Sequence, residues 1–407
     1  MNCPKGFRSD VDLVLLALSA LTTLLLGALF VDFAIGHRRV GFLQKVTPTQ
    51  TGPPLSIIAA ARNEARGIEA AVTSLLRLDY PALEIVIVND RSTDETGAIL
   101  RRLSKVRLPS PSLRPGKPDT TGETSPRLTI VNVTELPDGW LGKNYALHVG
   151  AATATGDLLL FTDADIIFEP TTLGRAVALL EEKQVDHLAV IPDIVVPGLA
   201  LNAFVAAFGV FFSMYSRPWK VRDPRSRAHI GVGAFNLIRA NVYRAIGGHR
   251  AIAMRPDDDM KLGKLVKRHG FQQDVTVGRD MIAVEWYASI RELVDGLMKN
   301  AFAGVDYSLW KVVGSTAGLF LMNVWPVLAL FLSGGATRAL NAVSVLLIVL
   351  IFWTVNGTRV AYVLAFPAAA LLFIYIMWRS ALIAVARGTV TWRGTAYSLS
   401  QMRANRV

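Results

Sequence analysis

Cysteine and acidic residues are the scarce components of this sequence. Cys3 is the only cysteine in 407 residues, which excludes a disulfide within the chain and any metal site built from cysteine. Lysine and arginine number 43 against 32 aspartates and glutamates, so the net charge is +11. No stripe of basic and aromatic residues accompanies this charge, so nucleic acid is not an expected partner. The balance is typical of a membrane protein with basic residues beside its spans, or of one that binds anionic lipid or substrate.

Long apolar runs are abundant: 52% of the residues are hydrophobic and the mean hydropathy is +0.37. Residues 11–35 are nearly all apolar and long enough to cross a bilayer. His37, Arg38 and Arg39 follow them, so the positive-inside rule places the next segment in the cytoplasm. A cleaved signal peptide is the alternative. The positive charge after the segment and the lack of a clear A-x-A site favour a retained anchor over residues 1–36.

The C-terminal part of the chain is also apolar. Residues 286–313 are predicted to be an amphipathic interfacial segment, and residues 314–386 contain three apolar stretches predicted as transmembrane helices. One crossing plus three would put the C-terminus outside, whereas the basic tail over residues 387–407 favours the cytoplasm. One of the three stretches is therefore predicted to be re-entrant or interfacial, and the pattern leaves open which one.

Residues 53–285 show a different pattern, in which short apolar strands alternate with helices. This alternation predicts an α/β domain with a parallel sheet and right-handed crossovers. Within it, residues 104–127 carry five prolines and no apolar period, which predicts a flexible surface loop. Residues 92–95 are predicted to form a capping box that starts a helix, and residues 231–238 a strand. The apolar stretch 199–215 is predicted as an interfacial or core helix, because a crossing there would separate the acidic clusters across the membrane.

Four polar clusters are predicted to meet at one edge of the sheet, since ligands bind beyond the carboxyl ends of the strands. They are Arg62-Asn63-Glu64, Asn89-Asp90, Asp163-Ala164-Asp165 and Asp257-Asp258-Asp259.

Asp163 and Asp165 follow the apolar run Leu158–Phe161, and side chains two apart on an extended segment point to the same side. Two such carboxylates suit Mg²⁺ or Mn²⁺ carrying a diphosphate, although an Asp-rich turn is the simpler explanation of the pattern. Asp258 and Asp259 could supply a base, because crowded like charges raise a pKa. The alternative for these residues is a charged helix N-cap.

Several motifs together resemble family 2 glycosyltransferases with the GT-A fold. They are S-I-I-A-A-A-R-N-E from Ser56, V-I-V-N-D-R-S-T-D from Val86, G-D-L-L-L-F-T-D-A-D from Gly156 and D-D-M-K-L-G from Asp258. Gly139–Lys143 and the tail motif W-R-G-T-A-Y from Trp392 are similar to a membrane-anchored bacterial branch, the hopanoid-associated or carotenoid-type enzymes. A more distant likeness is to ceramide glucosyltransferases.

The resemblance implies a Rossmann-like mixed sheet in the cytoplasm, joined to transmembrane helices of a bacterial inner membrane. It implies an inverting, metal-dependent transfer from a nucleotide-diphosphate sugar, with a UDP-sugar as the expected donor, to a lipid acceptor. Asp259 would be the catalytic base with Asp258 as its neighbour, and Asp165 with Asp163 would bind Mg²⁺ or Mn²⁺. The expected nucleotide-sugar residues are Ala60, Arg62, Glu64, Asp90, Lys143 and Asp163. By position alone, the expected acceptor or membrane residues are Phe208, Phe211, Arg217 and Lys220.

Two departures from the family pattern affect this interpretation. The second strand ends in Asn89-Asp90 rather than in two acids. The Q-x-x-R-W motif of processive polysaccharide synthases is missing, which favours transfer of a single sugar to a lipid. The alternatives are a processive polysaccharide synthase and a non-catalytic sugar-nucleotide sensor, although a sensor would be expected to lose the base or metal carboxylates.

Overall fold

The structure is a computed structural model that describes residues 5–105 and 126–407. The predicted flexible loop over residues 104–127 lies outside the described residues except at its ends. The described chain forms two compact units. The helical unit comprises the described part of Met1–Arg39 together with Val196–Tyr215 and Tyr287–Val390. The sheet unit comprises the described part of Val40–Val195 together with Ser216–Trp286 and Thr391–Val407.

Eight of the described strands form the main sheet, in the order β1-β10-β7-β9-β5-β2-β3-β4. All neighbours are parallel except β9, which runs antiparallel to both β5 and β7. A smaller sheet has the order β6-β11-β8. The strands are β1 (Gly41–Phe42), β2 (Leu55–Ala61), β3 (Leu83–Asp90), β4 (Arg127–Val133), β5 (Leu158–Asp163), β6 (Ile166–Phe168), β7 (His187–Ile191), β8 (Asp193–Val195), β9 (Asn236–Arg239), β10 (Gln273–Val277) and β11 (Ile282–Glu285).

The central strands read as continuous apolar runs because helices cover both faces of the sheet. Ile57 and Ile58 point to opposite faces of β2, and both are fully buried in separate clusters. The helices that cover the sheet are α2 (Ile68–Leu76), α3 (Thr96–Leu103), α4 (Gly142–Thr153), α5 (Thr172–Lys183), α7 (Ala240–Ala245), α8 (Gly248–Ala251) and α9 (Asp258–Arg268). The mixed α/β sheet predicted from the sequence is thus present.

Two local predictions are wrong. The predicted strand over residues 231–238 is shorter, because β9 begins only at Asn236 and the preceding residues form a loop against Asp163 and Asp259. The predicted capping box is not formed, because the Ser92 hydroxyl accepts from Asn63 N in the loop after β2 and α3 begins only at Thr96. Asp94 accepts from Thr96 N at 3.0 Å and from Ala65 N in that loop at 3.1 Å.

The helical unit consists of helices, most of which are apolar. They are α1 (Lys5–Gly36), α6 (Gly198–Ser216), α10 (Ile290–Gly304), α11 (Leu309–Asn323), α12 (Trp325–Leu332), α13 (Gly335–Asn356) and α14 (Phe366–Arg387). Four described segments are long and apolar enough to cross a membrane: Asp12–Arg39, Gly198–Lys220, Gly335–Asn356 and Ala361–Arg387. A fifth candidate is the pair α11 and α12, which is bent by 48°.

The last residues of the chain are folded. Strands β12 (Thr389–Trp392) and β13 (Thr395–Ser398) form a hairpin, and α15 (Leu399–Ala404) follows. The sequence pattern predicts a separate basic tail over residues 387–407, whereas Thr391–Val407 pack within the sheet unit.

Candidate active site

The candidate site lies at the carboxyl ends of β2, β3 and β5. These three strands are parallel neighbours, and their register places Ala60 beside both Val88 and Asp163. The polar residues that follow each strand are therefore delivered to the same edge of the sheet. Three of the four polar clusters predicted to meet there come from these strand ends.

Hydrogen bonds join the loop after β2 to the loop after β3. Asn63 adopts a left-handed conformation (φ 55°), and its Oδ1 accepts from Thr93 N at 2.8 Å. Glu64 N donates to Thr96 Oγ1 at 2.8 Å, and Ala65 N donates to Asp94 Oδ2 at 3.1 Å. These bonds fix the position of the Glu64 backbone at the edge of the sheet.

Asp90 is a buried carboxylate whose charge is paired. Its side chain is 3% exposed, and Arg91 binds it through two hydrogen bonds of 2.7 and 3.1 Å. Arg62 Nη1 lies 3.9 Å from Asp90 Oδ2. A Cβ on Gly142 would lie 2.5 Å from the same oxygen, so the start of α4 can approach Asp90 only because residue 142 is a glycine.

Lys143 links carboxylates that come from two distant segments. Its ammonium lies 2.8 Å from Asp163 Oδ1 and 3.3 Å from Asp258 Oδ2. Burial alone would lower the pKa of Lys143, but the carboxylates of Asp163 and Asp258 outweigh burial and raise it. Lys143 is therefore a fixed positive charge between the end of β5 and the start of α9.

Gly233 brings Asp163 and Asp259 together. Its carbonyl accepts from Asp163 N at 3.0 Å, and its N–H donates to Asp259 Oδ2 at 2.9 Å. A Cβ on Gly233 would lie 2.8 Å from Asp163 Oδ2 and 3.5 Å from Asp259 Oδ2. The two carboxylates can thus flank this residue only because it has no side chain.

Asp259 and Asp165 both have a pKa well above that of an ordinary aspartate. Burial, followed by the charge of Asp258, raises the pKa of Asp259 to about 7. Burial, followed by the charges of Asp163 and Glu64, raises the pKa of Asp165 to about 7. Crowded carboxylates with raised pKa values are typical of groups that handle protons or bind cations.

The third acid of the cluster has a structural role. Asp257 accepts two hydrogen bonds of 2.9 Å from Arg255, and Lys261 Nζ lies 3.4 Å from it. The N-cap interpretation does not explain this residue, because its carboxylate makes no capping hydrogen bond to α9. Asp257 therefore anchors the segment that carries Asp258 and Asp259.

The described residues contain no group of three His, Cys, Asp or Glu side chains arranged to hold a metal ion alone. A divalent cation that carries a diphosphate needs only one or two protein carboxylates, because phosphate oxygens and water complete its coordination. The mutual repulsion of Asp163 and Asp165 is what such a cation would relieve. The residues at this edge therefore fit Mg²⁺ or Mn²⁺ bound together with a diphosphate.

The residues expected to contact an acceptor lie in both units. In the helical unit, Phe208 and Phe211 of α6 pack against Phe373, with ring centroids 6.3 and 5.8 Å apart. Phe211 also lines an apolar cavity of about 20 Å³, which has room for a water-sized group and not for a lipid chain. Arg217 and Lys220 belong to the sheet unit. The acceptor role of these four residues stays a prediction.

Sequence reasoning missed several residues of this site. The sequence pattern marks Gly233 only as part of a predicted strand, and it marks Arg91 only as part of the motif that begins at Val86. Arg393 and Tyr397 were part of the tail motif, but no pattern in the sequence connects them to residues more than 250 positions earlier. The position of Arg91 directly after the predicted Asp90 was the available signal.

A protein-family model matches much of the sheet unit. Residues 56–247 match the model of glycosyl transferase family 2. The chain carries a family 2 glycosyltransferase domain. The predicted class of enzyme, a glycosyltransferase, is therefore confirmed.

Curated relatives of this glycosyltransferase cover most of its length. It is 23% identical over 362 residues to the 4,4'-diaponeurosporenoate glycosyltransferase of Staphylococcus aureus strain MRSA252, with 85% of this chain and 89% of the relative covered. The protein of the same name from strain bovine RF122 / ET3-1 is 23% identical over 361 residues, with the same coverage. The predicted likeness to the carotenoid-type bacterial branch is confirmed by these relatives.

A solved structure shows the same fold. The mannosyltransferase PcManGT from Pyrobaculum calidifontis, in complex with GDP-Man and Mn²⁺, aligns with a TM-score of 0.51 at 20% identity. The alignment covers 92% of this chain and 98% of that one. The predicted GT-A fold is confirmed.

Proposed function

We propose that this glycosyltransferase moves one sugar from a nucleotide-diphosphate sugar to a membrane lipid, with inversion at the sugar carbon and with a divalent cation. The observation that carries the proposal is the Gly233 peptide, which holds Asp163 and Asp259 on its two sides. One carboxylate comes from the strand edge where a donor binds, and the other from the start of α9. Donor and base are thus assembled at one place.

Asp259 is the proposed catalytic base. A single displacement with inversion needs a group that takes the proton from the attacking hydroxyl as the bond to the sugar forms. A carboxylate with a pKa of about 7 accepts that proton more readily than an ordinary aspartate does. The Gly233 N–H holds Asp259 Oδ2 in place, and Asp258 beside it is held by Lys143.

Asp165 and Asp163 would hold the cation, which when bound would stabilise the negative charge that develops on the departing diphosphate. Arg62, Glu64 and Asp90 are the proposed nucleotide contacts, and Ala60 lies beside Asp163 at the strand edge. Lys143 sets the orientation of the Asp163 carboxylate through its 2.8 Å contact. PcManGT was solved with GDP-Man, so both UDP- and GDP-sugars belong in the donor panel.

An apolar acceptor is supported by the apolar helices of this chain and by the name of its relatives, which refers to diaponeurosporenoate. We expect the acceptor to approach beside α6. Charging this helix with Phe208→Asp and Phe211→Asp should reduce lipid transfer more than donor hydrolysis. Equal loss of both reactions would exclude the α6 assignment.

The residues that make up the sheet unit support one membrane topology, in which that unit lies in the cytoplasm. Residues 216–286 and Thr391–Val407 belong to one compact body, so the chain between them must cross the membrane an even number of times. We propose that α13 and α14 cross and that the bent pair α11 and α12 is re-entrant. By the same reasoning α6 does not cross. This arrangement places Arg387 in the cytoplasm, in agreement with the positive-inside rule.

The test is turnover by the purified full-length protein in detergent, with nucleotide sugars, Mn²⁺ or Mg²⁺, and a total lipid extract. We expect a labelled lipid that requires the cation and that disappears in Asp259→Asn. Asp157→Asn is the matched control, because Asp157 is exposed at the opposite end of β5. A high-molecular-weight product would indicate a polysaccharide synthase. Nucleotide binding without turnover in both proteins would favour a sensor and contradict the proposal.

A further inference from the structure

The C-terminal segment, Thr391–Val407, contacts the loops that form the proposed donor site. It belongs to the same compact unit as those loops, although more than 290 residues separate it from Arg62, Glu64 and Asp90. Two of its polar side chains, those of Arg393 and Tyr397, contact these loops. Both lie on the hairpin of β12 and β13.

Arg393 binds the loop that follows β2. One guanidinium nitrogen donates to the Arg62 carbonyl and the other pairs with Glu64 Oε1. The turn of the hairpin directs this side chain to the loop, because Arg393 and Gly394 both have positive φ values (45° and 79°). The Arg393 side chain remains 44% exposed, so its role is not that of a core residue.

Tyr397 binds the other side of the site. It is 7% exposed, and its hydroxyl accepts from Gly142 N at 3.3 Å. Tyr397 also acts electrostatically on Arg91, which in turn holds Asp90. Tyr397 therefore contacts the start of α4, next to the buried Asp90.

The rest of the segment attaches it firmly to the sheet unit. Leu399 and Met402 are buried. Asn405 accepts from Met254 N at 2.9 Å and donates to Ala251 O at 3.0 Å, while Lys264 donates to the terminal residue Val407. These contacts make the C-terminal segment a fixed part of the sheet unit.

The charge of Arg393 suits this place. Glu64 acts electrostatically on Asp165, which already faces Asp163. A guanidinium on Glu64 offsets one of these negative charges and fixes the carboxylate through a charge-assisted hydrogen bond. An anionic nucleotide diphosphate would then meet a less negative surface.

We propose that Arg393 and Tyr397 are donor-positioning residues, and that the C-terminal segment is a wall of the nucleotide-sugar site. Arg393 holds Glu64 and the Arg62 carbonyl, and Tyr397 holds the start of α4 next to Asp90. This inference rests on the proposed function, because it assigns the nucleotide diphosphate to that edge of the sheet.

The experiment measures the Kd of UDP and of GDP with Mn²⁺ by titration calorimetry on the full-length protein in detergent. Arg393→Gln should weaken binding of the preferred nucleotide roughly tenfold or more, as expected for loss of a charge-assisted contact. Arg393→Lys should recover part of the affinity, because it restores the charge without the two-pronged geometry. Arg406→Gln is the matched control and should leave the Kd unchanged, since Arg406 is exposed at the far end of the segment.

A double-mutant cycle separates positioning from a general loss of structure. If Arg393 acts through Glu64, the variant with both Glu64→Gln and Arg393→Gln should bind no more weakly than the weaker single variant. Tyr397→Phe should raise the donor KM while kcat changes less than threefold. Met402→Ala removes a buried side chain, so it should lower Tm with little change in Kd.

An Arg393→Gln protein that binds the nucleotide as tightly as wild type would overturn the inference, and so would fully additive effects in the cycle. Failure of the wild-type protein to bind either nucleotide would instead count against the proposed function. The two failures are therefore distinguishable in one set of titrations.

Discussion

Replacing Lys143 by methionine should destabilise the sheet unit in a way that depends on pH. The ammonium lies 2.8 Å from Asp163 and 3.3 Å from Asp258, and its side chain is 20% exposed. At an effective dielectric constant of about 20, these contacts correspond to about 6 and about 5 kcal/mol of Coulomb energy before desolvation is subtracted. Removal of one partner from a buried charge cluster typically leaves a net loss of about 3 kcal/mol.

The sign of the pH dependence follows from the carboxylates that remain. Without Lys143, the pKa of Asp259 is raised further, because the charge of the ammonium is the largest of the influences that lower it. Carboxylates whose folded-state pKa is raised destabilise the protein when ionised and cease to do so when protonated. The penalty should therefore be largest near pH 8 and less than half as large at pH 5.5.

Thermal unfolding of the detergent-solubilised variants measures this penalty. A loss of about 3 kcal/mol corresponds to a decrease in Tm of roughly 6–12 °C for a domain of this size class. Lys183→Met is the matched control, because Lys183 pairs with Glu182 at the surface and should contribute less than about 1 kcal/mol. Addition of Asp163→Asn to the Lys143→Met variant should restore part of the Tm. An equal decrease at both pH values, or one no larger than that of the control, would refute the reasoning.

Three further predictions follow from single features of the structure. Gly233→Ala should reduce kcat at least tenfold, because the new Cβ would lie 2.8 Å from Asp163 Oδ2. Gly314→Ala is the control, since a Cβ at that position meets nothing within 4 Å. Equal turnover in both variants would contradict the bridging role of Gly233. Burial lowers the pKa of His187 to about 4 from an ordinary 6.5, so stability present above pH 6.5 should be lost as the pH falls, by about 2 kcal/mol at pH 5. His187→Gln should flatten the dependence of Tm on pH over this range, and an unchanged slope would show that other groups are responsible. In a Cys3→Ser background, Ala336→Cys should be labelled only from the cytoplasmic side and Ala361→Cys only from the opposite side; labelling of both from one side would exclude two crossings by α13 and α14.

The sequence was sufficient for the fold class and for the family. Strands with unbroken apolar runs, such as Leu158–Phe161, are recognisable because both faces of a parallel sheet are buried, and polar residues mark the strand ends. Asp163, Asp165 and Asp259 could be selected as candidates because carboxylates at a strand end suit a cation that carries a diphosphate, and because the motifs that contain them resemble those of a known family. The long helices of the helical unit were equally recognisable, because each of them is a continuous apolar stretch long enough to be seen in the sequence.

Local patterns were less reliable where tertiary contacts compete with them. The residues at 92–95 have the composition of a capping box, but the Ser92 hydroxyl accepts from Asn63 N in the loop after β2 instead of from the first turn of α3. Residues 231–235 have strand-like composition, but Gly233 is required as a bridge between two carboxylates.

What the sequence determined by itself was the type of each element and the chemistry of the strand ends, because periodicity and residue type act over a few neighbouring positions. Only the tertiary structure decided which charges meet: Lys143 with Asp163 and Asp258, Gly233 between Asp163 and Asp259, and Arg393 with Glu64. The physical reason is that these pairs join segments 20 to more than 300 residues apart, and their distances depend on how the sheet, the loops and the C-terminal segment pack. No local pattern contains that information.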